Sequence, residues 1–475
     1  MSTTDTIDWG AGQEMNELEA TMWRAERHPQ NSTQGGILRI FAATPSWDAI
    51  MQSHLRAISR LPRFRMRVVE PLLPVGSPVW VEVDDFDVAY HVRRVRLPEP
   101  GTEAQLLELA QTLGSTQLDR TRPLWCTTFI EGLEGGRSAH FTTIHHCLMD
   151  GHASIQLLSR LHAGPKDAVD GLPAPPAEST PTPFELTRSQ AIDRVRSLPG
   201  LGLRALGGVA STLRRDPAES VRFAASVGRV LAPPAANSSP LLDRGSRSQW
   251  RYITLDCGLD ELKAAGKAAG GTLNDAYVAA ELGGLRRIHE RLGYPLGDLT
   301  INMPVSVRRP GDPAGGNRFA TAFLPVPAAI PDPVARIGRL REAVSAIREE
   351  PALDFFSILL PALNRIPASL LTPIFIGMQC RADLTISNVP GFPEPVTFSG
   401  AEVEAMYYFG PLPGSPVMSV LCSYAGRCYI GITYDGQVFE DGELLRTCMQ
   451  EGLDEVLALN TDSTTTAGSR AHAQA

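Results

Sequence analysis

Ile144-His145-His146-Cys147-Leu148-Met149-Asp150-Gly151 is the stretch on which the reading of this chain turns. Ser138 to Ile144 before it alternates as a strand does, and a helical period follows Gly151 through Leu161. Two of the ten histidines therefore stand side by side at a strand end, followed by Asp and Gly. A neutral imidazole, with an ordinary pKa near 6.5, can take a proton from a hydroxyl at physiological pH. A strand end presents such a ring rigidly to a cleft. Asp150 can order the loop through an ion pair, and Gly151 lets the backbone pass closely into the helix. The plainer reading is a pair of structural histidines, one of them capping a turn. The HHxxxDG spacing favours the chemical one.

No GxSxG elbow, glycine-rich phosphate loop, HExxH spacing or other metal-ligand set accompanies the motif. Cys147 as a nucleophile would need a third orienting group, and none is identifiable. What is left is a histidine base without a protein nucleophile. That suits direct attack of one substrate on another.

Working outward, residues 1–162 alternate between the two periods. Strands are expected at Ile37–Ala42, Pro78–Val83, Val88–Val95 and Trp125–Glu131, and helices at Ser46–Ser59 and Ala104–Leu118. A Pro-rich stretch, 163–183, leads into 184–231, which has helical period and eight arginines against four acids. That segment reads either as an amphipathic surface for lipid or as a connector packed on its apolar face. Alternation resumes at Trp250, with a strand Arg251–Leu255, helices Leu259–Ala269 and Leu273–Leu292, and a strand Leu299–Met303. An apolar helical stretch spans 351–378, followed by a strand Leu384–Ser387 and a hairpin Val417–Tyr424 with Arg427–Tyr434. The expected class is α/β, divided as 1–162, a connector 163–245, a second half 246–459 and a disordered tail 460–475.

Composition narrows the function classes. At roughly 100–200 residues per domain, 475 residues make two or three domains. A formal net charge of -8 argues against nucleic acid as the main partner, which needs a concentrated basic surface. Seven scattered cysteines without a CxxC pair point away from a disulfide framework or structural zinc, and toward a reducing cytoplasm. Neither a signal-peptide pattern nor an apolar run of spanning length is visible, so a soluble or peripheral protein is expected.

Further short motifs stand in order around HHxxxDG. They are Arg122-Pro123-Leu124-Trp125, Leu273-Asn274-Asp275, Asn302-Met303-Pro304-Val305-Ser306-Val307-Arg308, Gly316-Asn317-Arg318-Phe319, Ser387-Asn388-Val389-Pro390-Gly391 and Ser423-Tyr424-Ala425-Gly426. Together they resemble the bacterial wax ester synthase/acyl-CoA:diacylglycerol acyltransferases, within the CoA-dependent acyltransferases that include chloramphenicol acetyltransferase and condensation domains. The resemblance covers most of the chain. It implies two chloramphenicol-acetyltransferase-like halves, each a mixed sheet flanked by helices, joined by a long connector, with a tunnel to the histidine from both sides.

By the same resemblance the chain uses acyl-CoA as co-substrate, binds no cofactor or metal, and acylates a fatty alcohol or diacylglycerol. His146 would be the general base beside His145. Asp150 would be structural, with Arg308 as its partner, and Asn274 would hold the site or the oxyanion or cap the helix Asp275–Leu292. Gly151, Asp275, Arg308, Ser387 and Asn388 would support them. Arg308, Arg309, Arg318 and Arg381 could meet CoA phosphates or be ordinary surface charge. Other acceptors with the same mechanism, or a non-catalytic condensation-like module, are the rivals. The implied location is cytoplasmic, with peripheral contact to the inner membrane or lipid droplets. Three stretches depart from the family pattern: Asn31-Ser32-Thr33-Gln34-Gly35-Gly36, Asn16-Glu17-Leu18 and Ser238-Ser239-Pro240-Leu241-Leu242.

Overall fold

The computed structural model describes residues 12–26, 32–163, 172, 180–196, 239–306, 319–348, 360–379, 382–412 and 414–460. Arg308, Arg309, Arg318, Arg381, nearly all of the expected tail and positions 197–238 of the connector lie outside them.

The first half runs α1 (Glu17–Ala25), β1 (Gln34–Phe41), α2 (Trp47–Arg60), β2 (Met66–Val69), β3 (Val79–Glu82), α3 (Val88–His91), β4 (Val92–Arg96), α4 (Glu103–Ser115), β5 (Trp125–Glu131), β6 (Ser138–His145) and α5 (Gly151–Ala163). The second runs β7 (Trp250–Gly258), α6 (Leu259–Ala268), α7 (Leu273–Leu292), β8 (Asp298–Ser306), β9 (Phe319–Pro327), α8 (Pro333–Arg348) and α9 (Ala368–Gln379). It ends with β10 (Leu384–Pro390), β11 (Thr397–Phe398), β12 (Ala401–Phe409), β13 (Val417–Tyr424), β14 (Arg427–Asp435) and α10 (Gly442–Leu457).

The strands form two six-stranded mixed sheets, in the orders β11-β12-β1-β6-β5-β4 and β7-β14-β13-β10-β8-β9. Helices flank them, so the class is the mixed α/β architecture expected. Local chemistry sets many of the boundaries. Ser46 caps α2 through the Ala49 amide, Thr102 and Gln105 form a capping box on α4, and the β13–β14 turn places Ala425 and Gly426 at positive φ, as a two-residue hairpin of this hand requires.

One expected strand differs. Val88–Val95 begins as a single helical turn because Asp87 accepts the Ala89 amide at 2.9 Å, and the strand starts only at Val92.

A larger surprise is β12. Its residues belong in sequence to the second half, yet it pairs antiparallel with β1 across Gly36–Phe41 and completes the first sheet. Tyr252 of β7 stacks on Phe409 of β12 at 4.1 Å, and its amide donates to Gln111 of α4 at 2.8 Å. One hydrophobic core consequently draws residues from both halves, from Phe41 and Trp125 to Val389 and Tyr429. The start of the connector packs as well: Leu186 is buried against Val69 and Val79.

Helices α7 and α10 meet at backbone contact. A Cβ on Gly452 would lie 2.4 Å from the Ala280 carbonyl oxygen and 2.4 Å from the Gly284 nitrogen. No rotamer relieves a clash with main chain. Gly452→Ala should therefore cost about 1–3 kcal/mol in urea unfolding, and an unchanged midpoint would contradict so close an approach.

Between these helices and the second sheet lies Glu281, fully buried, its carboxyl pushed up to about 8 by burial against an opposing hydrogen bond from Ser419. A raised folded-state value means the folded protein holds the proton more tightly. This group's contribution is then complete below the ordinary carboxylate range and lost as pH rises toward 8. Glu281→Gln should flatten that part of the stability profile, measured as Tm from pH 5 to 8.

Candidate active site

The end of β6 is tied down by main-chain bonds: His145 N donates to Leu124 O at 3.1 Å and Leu148 N to His145 O at 2.9 Å. The chain turns there, and the two histidines part company. His145 is 2% exposed. Its Nδ1 accepts the Cys147 amide at 3.1 Å, which leaves the ring proton on Nε2, hydrogen-bonded to the Glu26 carboxylate and 3.3 Å from Thr33 Oγ1. Both ring nitrogens are committed inside the protein.

Glu26 is itself held on several sides. Burial alone would raise its carboxyl, but His145, the Thr33 amide at 2.9 Å and Arg120 at 3.8 Å together keep it below the ordinary range. Arg120 lies over the Trp23 ring at 3.5 Å, and that ring faces His145 at 5.9 Å.

His146 is fixed differently. Its amide donates to Thr33 O at 2.9 Å, and the residue keeps part of its surface exposed. Thr33 thus touches both histidines, one through its side chain and one through its carbonyl. Cys147 is buried, and burial, with Glu19 and Glu26 nearby, pushes its thiol well above the usual range. A thiolate is disfavoured there.

Asp150 caps α5, accepting the Ala153 amide on Oδ1 at 2.7 Å. Arg308, expected as its partner, is outside the described residues. Gly151 sits against β10: a Cβ there would lie 2.7 Å from Val389 Cγ2. Beside Val389, Asn388 Nδ2 donates to Asn274 Oδ1 at 3.3 Å, and Asn274 Nδ2 lies 3.8 Å from Met303 Sδ. The Asn274, Asn302–Ser306 and Ser387–Pro390 motifs and the end of HHxxxDG therefore meet in one place. Ser387 is half-buried in the same strand.

The capping role considered for Asn274 is corrected. Thr272 caps α7 in a reciprocal box with Asp275, whose carboxylate accepts the Thr272 amide at 2.8 Å. The helix starts at Leu273, so the Asn274 side chain is left to face Asn388.

Four residues of this assembly, Trp23, Glu26, Thr33 and Arg120, carried no recognisable sequence signal of their own. Only Thr33 lay in a stretch marked as departing from the family pattern. A cavity of about 450 Å³ reaches the motif at Ile144 and Met149 and extends beneath α2.

Residues 15–277 match the sequence model of the wax ester synthase/diacylglycerol acyltransferase catalytic domain, and 315–456 that of the C-terminal domain of the same proteins. The chain belongs to the wax ester synthase/diacylglycerol acyltransferase family. A relative from Mycobacterium tuberculosis strain H37Rv, assigned by name to the diacylglycerol O-acyltransferases, is 37% identical over 463 residues, covering 94% of this chain and 92% of its own. The wax ester synthase/diacylglycerol acyltransferase from Marinobacter aquaeolei VT8 shares the fold with a TM-score of 0.64 at 21% identity, over 94% of this chain and 99% of that one. The starter condensation domain of rhizomide synthetase, solved as a double mutant with C8-CoA and Leu-SNAC, aligns at TM-score 0.57 and 14% identity over 94% of both chains. This wax ester synthase/diacylglycerol acyltransferase family member is an acyl-CoA-dependent acyltransferase. Among its described residues no helix is long and apolar enough to cross a membrane.

Proposed function

We propose that the protein transfers a long-chain acyl group from a CoA thioester to the hydroxyl of a fatty alcohol or diacylglycerol, with His146 as general base. The acceptor O–H proton passes to the imidazole of His146 while the oxygen attacks the thioester carbonyl. The C–S bond then breaks, and the CoA thiolate takes the proton from the imidazolium. No acyl-enzyme forms. The observation that carries this reading is the division of labour between the histidines. Glu26, Thr33 and the Cys147 amide engage both nitrogens of the buried His145, whereas His146 is held at its amide by the Thr33 carbonyl and is only partly buried. A burial-raised Cys147 thiol is a poor nucleophile, which leaves direct attack as the simplest route.

The Asn274–Asn388 contact supports a positioning role, with Asn274 steadying the β10 loop beside Gly151. Asn274→Ala should lower kcat about 10-fold, the weight of one lost hydrogen bond, with little change in KM for palmitoyl-CoA. A kcat equal to the parent's would remove that role. The acceptor is tested by CoA release from palmitoyl-CoA across hexadecanol, dioleoylglycerol and hexadecylamine. Turnover confined to the amine would sink the O-acyltransferase reading.

A further inference from the structure

The cavity beneath α2 has a charge pattern that acyl transfer does not use. Its wall includes three arginines, Arg39, Arg56 and Arg60, and no Asp or Glu, among side chains that are mostly apolar or neutral. Arg39 is the deepest. It is 7% exposed, projects from the middle of β1, and has no acidic partner among the described residues. Its Nε has no hydrogen-bond partner at all.

A directional chain of hydrogen bonds backs it. His54 Nδ1 donates to Ile50 O at 2.8 Å, so His54 Nε2 accepts from His140 Nε2 at 3.2 Å. His140 Nδ1 then accepts from the Thr142 hydroxyl at 3.4 Å, and Thr142 accepts from Arg39 Nη2 at 3.4 Å. Burial lowers both histidines, His54 to about 4, so neither adds a competing charge and neither supplies a counter-charge. Only one guanidinium hydrogen is used by this chain. A buried cation without a counter-ion is costly, and an anion entering the cavity would offset that cost.

We propose that this cavity binds a fatty carboxylate, its two oxygens on the Arg39 guanidinium and its chain along the apolar wall toward Ile144 and Met149. A planar carboxylate matches the paired donors of a guanidinium. Phe398, whose ring lies 5.2 Å from the Arg39 guanidinium carbon, and Leu157 and Val403 supply apolar wall. Along β6 the distance from His140 to Ile144 is about 13 Å at 3.3 Å per residue, so the ligand is an extended amphiphile rather than a small acid. The test of this site needs no turnover and does not depend on the choice of acceptor.

The experiment is calorimetric titration of the full chain with dodecanoate and, separately, with 1-dodecanol, below their critical micelle or solubility limits. Dodecanoate should bind at least about 10-fold more tightly, and Arg39→Gln should erase the preference. Circular dichroism checks that this variant folds. Should it not, the parent comparison decides alone. Equal affinity for the acid and the alcohol would overturn the site, and so would a preference that survives in folded Arg39→Gln.

Discussion

His146→Ala should lower turnover by roughly 10²–10⁴-fold with palmitoyl-CoA and acceptor both saturating, and should leave the unfolding midpoint close to the parent's. The reason lies in how the two histidines are held. The His146 amide is bonded to the Thr33 carbonyl, and alanine keeps that bond. The loss then falls on proton transfer rather than on architecture. His145→Ala should behave in the opposite way, lowering stability first, because it strips buried partners from Glu26 and Cys147 N. Steady-state kinetics beside denaturant titrations of the two variants checks the contrast. Near-parent turnover in His146→Ala would remove the mechanism.

Glu26→Ala should destabilise the protein by about 3–5 kcal/mol, the range for deleting one partner of a buried charged contact. It leaves the His145 Nε2–H and the Thr33 amide without their acceptor and removes the carboxylate that faces Arg120. Activity should fall with stability, since Thr33 also anchors His146. Glu26 adds a pH signature. Its carboxyl is held below the ordinary value of 4.5, so its contribution is present above that value and lost as pH falls through the lower folded value. Acid unfolding of the parent should therefore begin below about pH 4.5, and Glu26→Gln should weaken that dependence. A variant as stable as the parent at neutral pH would show that the clamp holds nothing.

Much of this was legible in the sequence because it is local. Leu273–Leu292 is predicted and found with the same ends, since Thr272 opens the helix and Gly293 closes it at positive φ. The hairpin at Ala425-Gly426 declares itself by its turn residues. What escaped is long-range. The apolar run Ala405–Phe409 gives no hint that β12 leaves its own half to pair with β1, because periodicity reports a buried strand and not its neighbour. Val88–Val95 was misread because a single Asp cap outweighed β-branched propensity over four residues. At the site, HHxxxDG declared its histidines, yet the roles of its members depend on Glu26 and Thr33, more than a hundred residues upstream. An acid at a helix end looks the same whether it faces water or a histidine. Arg39 is the extreme case: in sequence it is one more arginine in a strand, and only burial without a counter-charge sets it apart.

The central claim is base-assisted direct attack with no covalent intermediate. It is tested most directly by rapid mixing of the enzyme with palmitoyl-CoA in the absence of acceptor, followed by quenching and intact-protein mass measurement. The account predicts no burst of free CoA and no palmitoylated protein until hexadecanol or dioleoylglycerol is added. A stoichiometric CoA burst with one palmitoyl group on the chain, still present in His146→Ala or lost in Cys147→Ser, would contradict it.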